Sequence, residues 1–129
     1  MPSSVKLTPI QCEKLYAKAH EAGMAAVEAT RPVPMVVQQV GAGGEVLKTY
    51  DPIADGVCGF AWVNVRPGNS TFARWLVVNT HARKAYEGGI DLWIREFNQS
   101  YTYKLAYASS FAEVLRQADV VAYARGRLD

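Results

Sequence analysis

Three segments of this chain, residues 59–66, 90–97 and 120–125, alternate at a period of two, and that period commits them to strands. One set of alternate residues is apolar throughout: Ala61, Val63, Val65; Ile90, Leu92, Ile94; Val120, Ala122, Ala124. The other set puts an aromatic ring and then an arginine on each segment: Phe60, Trp62, Asn64, Arg66; Asp91, Trp93, Arg95, Phe97; Val121, Tyr123, Arg125. Two stretches at helical spacing separate the segments. Residues 70–86 run through Phe72, Leu76 and Asn79 and stop before Gly88-Gly89; residues 100–118 carry Leu105, Ala108, Ala112 and Leu115 on one stripe. Helices of roughly five turns between strands favour crossover connections. The three strands are therefore expected to run parallel, with both helices on the apolar face.

The first half of the chain is less patterned. Thr8-Pro9-Ile10-Gln11 reads as a helix start, with Thr8 as cap, Pro9 at the first helical position and Gln11 reaching back. That helix should end near Ala29, before Arg31-Pro32-Val33-Pro34, and its face of Leu15, Ala19, Ala22 and Ala26 is thin. Residues 35–40 and 45–50 are strand-like and flank Gly41-Ala42-Gly43-Gly44. A phosphate loop would need a helix after the glycines, whereas Val46-Leu47-Lys48-Thr49-Tyr50 continues as a strand, so a hairpin is the better reading. The expected fold class is α/β, bordering on α+β, in one domain over residues 1–129. An N-terminal helix and a β-hairpin precede β-α-β-α-β, with one mixed sheet and the helices packed on it.

Composition excludes several classes. The 129 residues are 50% apolar and 20% charged with a net charge of +2, the profile of an ordinary globular protein. A disordered tail, a collagen-like rod, a disulfide-rich toxin and a membrane span do not fit it. Met1 to Lys14 holds no apolar run of signal-peptide length, so a cytoplasmic protein is expected. Cys12 and Cys58 stand far apart with no CxxC, which predicts reduced thiols and no zinc site.

The arginines define the candidate site. Arg66, Arg95 and Arg125 fall toward the carboxyl ends of their strands, where open parallel sheets bind ligands. Asn69 and Ser70, and again Asn98 and Ser100, stand where the following helices begin and offer free N–H groups to an anion. Trp62, Trp93 and Tyr123 are placed to stack on a planar ring. With parallel strands these groups converge on one sheet edge, which suits an anionic, nucleotide-like ligand held without chemical change. The competing reading makes the tryptophans a covered core or a homo-oligomer interface, the arginines solvent-seeking stems, and the Asn and Ser residues plain caps. It makes the protein a structural or interaction module.

Catalysis has weaker support. His20 and His81 are the near-neutral bases, and a Cys58–His81 pair has no elbow motif, metal-ligand spacing or paired carboxylates behind it. No cofactor and no metal are expected. Aromatics interleaved with arginines on one sheet face suggest a base-stacking platform. The glycine and lysine pattern of the common RNA-binding sheet motif is missing, so nucleic acid ranks behind a small anionic ligand as partner, and no membrane partner is expected.

Tyr86-Glu87-Gly88-Gly89-Ile90-Asp91-Leu92-Trp93, Asn98-Gln99-Ser100, Lys104-Leu105-Ala106-Tyr107-Ala108, Gly59-Phe60-Ala61-Trp62-Val63 and Arg127-Leu128-Asp129 together resemble small proteins encoded by tailed bacteriophages. The resemblance covers roughly residues 59–129. It implies expression in a host bacterial cytoplasm, and either capture of a host signalling nucleotide, inhibition of a host process or a minor structural role. It carries over no functional residue.

Overall fold

The computed structural model describes residues 6–30, 38–40, 46–49, 58–97 and 100–128. Helix α1 (Pro9–Thr30) is followed by strands β1 (Gln38–Val40) and β2 (Val46–Thr49). Then come β3 (Gly59–Arg66), α2 (Thr71–Asn79), β4 (Arg83–Lys84), β5 (Ile90–Trp93), α3 (Tyr101–Gln117) and β6 (Val121–Leu128). Helix α1 begins as its sequence dictates: the Thr8 N–H donates to Gln11 Oε1 at 2.9 Å and the Gln11 N–H to Thr8 Oγ1 at 3.2 Å. Strands β1 and β2 pair antiparallel as a sheet of their own, as a hairpin requires. The glycines between them lie outside the described residues.

The α/β class stands, with helices packed on a sheet, but the strand directions do not follow the expectation. The main sheet has the order β4-β5-β3-β6, and every pairing in it is antiparallel. The reason lies in residues 80–89. Helix α2 ends at Asn79 instead of running on to 86, because the Thr80 hydroxyl donates to the Leu76 carbonyl and accepts from the Ala82 N–H. Arg83 and Lys84 then form an extra strand, and a turn at Gly88 (φ 110°) and Gly89 (φ 76°) sends the chain back as β5. That added reversal makes β5 antiparallel to β3. Strands β5 and β6 both run against β3, so they are parallel to each other, and α3 crosses from one to the other over the central strand. One expected crossover exists; the other is replaced by a hairpin.

The apolar alternation is realised. Ala61, Val63, Val65, Leu92, Ile94, Val120 and Ala122 are buried against Phe72 and Leu76 of α2 and Phe111 and Leu115 of α3. Helix α1 packs on α3. Its buried line is Cys12, Ala19, Gly23 and Val27, rotated from the expected alanine stripe because the Tyr107 ring lies directly on Gly23. A Cβ there would sit 2.6 Å from Tyr107 Cδ2. All three helices therefore feed one core on one side of the sheet. Among the described elements, no helix covers the aromatic side.

Candidate functional site

The cross-strand register builds the aromatic face, which no described helix covers. Trp62 pairs with Trp93 on one side and with Arg125 on the other, Phe60 pairs with Arg127, and Arg83 pairs with Asp91. Directly paired residues share a sheet face, so these side chains stand together. The indoles of Trp62 and Trp93 stack with centroids 4.3 Å apart and planes 26° from parallel, and Phe60 meets Trp93 edge-on at 6.2 Å. The Arg127 guanidinium lies 5.3 Å from the Phe60 ring centre and the Lys104 ammonium 5.6 Å from it, both within cation–π range. Arg116 sits 5.2 Å from the ring of Tyr123, which is 53% exposed.

Cations surround this aromatic group. Arg83, Arg95, Arg125 and Arg127 are all exposed. Among the described residues, none of these four guanidiniums has an ion-pair partner. The acid on the face, Asp91, is held by the Asn64 amide at 2.8 Å. His81, Arg83, Trp93 and Arg95 line a hollow of about 380 Å³ beside the stacked indoles. The His81 Nε2–H donates to the Trp93 carbonyl, which fixes that ring at the wall of the hollow.

Of the residues expected to form the site, Trp62, Trp93, Arg95 and Arg125 come together. Arg66 does not join them. It lies at the opposite end of β3, where its Nε donates to Asn64 Oδ1 at 2.7 Å and its Nη2 to the Glu87 carbonyl at 3.4 Å. The same Asn64 donates to the Gly88 carbonyl at 3.0 Å, so Arg66 braces the β4–β5 turn. The two helix starts also diverge, because antiparallel strands point their ends in opposite directions. Ser70 caps α2 just beyond Arg66, accepting from the Ala73 N–H, whereas Ser100 caps α3 beside Cys58, before β3 begins, accepting from the Tyr103 N–H. Asn69 faces a separate hollow of about 460 Å³ with Val77 and Lys84, and Asn98 lies outside the described residues. The convergence of three guanidiniums and two helix starts on one edge is thus replaced by a face.

Tyr123 joins the face as expected, and Phe60, Arg83 and Arg127 belong to it as well. Arg127 continues the alternation of Arg125, a signal present in the sequence, while the helical spacing of residues 70–86 hides Arg83. Cys58 and His81 do not form a pair. His81 is bonded at Trp93, whose register partner Trp62 lies four residues along β3 from Cys58, about 13 Å at the strand rise. Both cysteines are free; burial pushes the Cys12 thiol up, away from the reactive thiolate. Among the described residues no group of three potential metal-ligating side chains occurs, and no helix is long and apolar enough to cross a membrane. No protein-family description, curated protein or solved structure matches this chain, so the phage resemblance rests on the quoted residues alone.

Proposed function

We propose that the protein binds an anionic ligand bearing a planar ring, a nucleotide or a molecule of that chemistry, on the aromatic face of its four-stranded sheet, and releases it unchanged. The observation that carries this reading is the stacked Trp62–Trp93 pair with the unpaired cations Arg95 and Arg125 beside it. A ring extends the indole stack, and a phosphate accepts charge-assisted bonds from the guanidiniums. The half-buried indoles keep part of their surface in water, which a stacked ring would cover, and the clustered like charges repel until an anion neutralises them.

Thermal melting with adenosine monophosphate, adenosine and inorganic phosphate tests the reading. A ligand at about 100 times its dissociation constant adds about 2.7 kcal/mol of stability. The nucleotide is expected to raise the melting temperature at concentrations where the nucleoside and the phosphate do little, and to be recovered intact. A shift with phosphate alone removes the stacking half of the proposal.

A second reading has its own observation. Strand β6 is an eight-residue edge strand with Val121, Tyr123 and Leu128 exposed, a geometry that supports pairing with another chain. Melting that depends on protein concentration, with no response to any phosphate-bearing compound, would favour this interaction role.

A further inference from the structure

We infer that the ligand of this face is single-stranded nucleic acid lying across the β-strands, with its bases on the indole pair and its phosphates on arginines at both sides. This rests on the proposed nucleotide-binding role and narrows it. The cations form two rows: Arg83 and Arg95 on the β4–β5 side, and Arg125 and Arg127 on β6. The aromatic rings of β3 and β5 lie between them. Adjacent strands lie about 4.8 Å apart, which separates β5 from β6 by about 10 Å and β4 from β6 by about 14 Å. The phosphate of a mononucleotide stacked on the indoles can reach one row. A chain of two or more nucleotides has phosphates on either side of a base and can occupy both.

The face is also poor in base-reading groups. Asn64 is 6% exposed, and its amide is committed to Arg66, Gly88 and Asp91. One Asp91 carboxylate oxygen accepts from that amide. The main contact left for the bases is ring stacking, which every base satisfies. Recognition should therefore be of single strands and nearly indifferent to sequence. A duplex hides its ring faces and gains nothing from Trp62 and Trp93.

Fluorescence anisotropy with a labelled thymidine octanucleotide, competed by thymidine monophosphate, the dinucleotide, an adenine octanucleotide and an octanucleotide duplex, tests the inference. The octanucleotide is expected to bind at least tenfold tighter than the monophosphate and than the duplex. The adenine and thymine strands should agree within a few-fold. With each of the four arginines neutralising one phosphate, log affinity should fall with log salt at a slope near −3, and Arg125→Gln or Arg83→Gln should each reduce that slope by about 0.7. Trp93→Ala should cost about tenfold or more; Trp93→Phe, which keeps a ring and the packing, should recover most of it. Equal affinity for monophosphate and octanucleotide overturns the inference and leaves nucleotide binding standing. Equal affinity for duplex and single strand overturns it as well. Absence of binding to every probe overturns both.

Discussion

Asn64 uses every polar atom of its amide. It accepts from Arg66 Nε at 2.7 Å and donates to the Gly88 carbonyl at 3.0 Å and to Asp91 Oδ1 at 2.8 Å. A buried amide so committed is a structural pin, since each bond lost leaves a partner short of its own. Asn64→Ala should cost about 2–3 kcal/mol of unfolding free energy, read from denaturant midpoints. Arg66→Ala should cost about 1 kcal/mol and leave nucleotide affinity unchanged. Arg125→Ala should do the reverse. It is exposed and unpaired, so stability should hold within about 0.5 kcal/mol, while affinity drops by about 1.5–3 kcal/mol, the worth of a charge-assisted bond. Equal losses of affinity for the two arginine variants would return Arg66 to the site and refute the division between brace and face. In the sequence Arg66 and Arg95 look alike, each falling toward the carboxyl end of a strand-like segment two residues or more past an aromatic ring. Only strand direction separates them.

Strand direction was decided by a short element. The alternation of β3, β5 and β6, the apolar face, the capping box of α1 and the caps Ser70 and Ser100 were all legible, because each depends on neighbours in sequence. The reversal at 80–89 was not. Helical spacing through Phe72, Leu76 and Asn79 continues plausibly past 80, and a two-residue strand has too little length to show a period of two. Gly88-Gly89 looks like the stop of a helix in the sequence but makes the turn of a hairpin; at Gly89 a Cβ would also lie 2.6 Å from the Val65 carbonyl oxygen. The end of α3 was easier. Asp119 takes φ 64°, its N–H donates to the Arg116 carbonyl, and the Val120 N–H donates to that of Leu115 at 2.9 Å. This is the left-handed closing turn that glycine fits best. Asp119→Gly is expected to raise stability by about 0.5–1 kcal/mol, since it relieves a conformation disfavoured for a residue with a Cβ. A destabilisation measured by thermal melting would mean that the Asp119 side chain does more than tolerate the turn.

At the scale of the molecule, the sheet, α3 and α1 form successive layers, and the joint between the two helices depends on one tyrosine. Tyr107 lies on the Gly23 backbone, its hydroxyl meets His20 Nδ1, and its ring adjoins Phe111 and Phe97. Burial, then the neighbouring Tyr16 hydroxyl and the Glu96 carboxylate, push its pKa well above the ordinary 10.0; burial and Glu96 raise Tyr16 in the same direction. In the unfolded chain both phenols ionise near 10.0. Above that pH the unfolded state binds fewer protons than the native state, so stability falls as pH rises. The loss reaches about 1.4 kcal/mol per pH unit for each such tyrosine and continues until the folded-state phenol itself ionises. Below it, both states hold the proton and stability is insensitive to these groups. Tyr107→Phe should cost about 1 kcal/mol at neutral pH through the lost His20 bond, yet it should shed the alkaline penalty that the native residue carries. Denaturant unfolding of the two proteins between about pH 7 and pH 11 should therefore give curves that converge with rising pH, while tyrosinate absorbance of the folded native protein stays short of its full phenol count. Parallel curves across that range would show that Tyr107 ionises as freely in the folded layer as out of it, and the seal between α1 and α3 would have to be sought elsewhere.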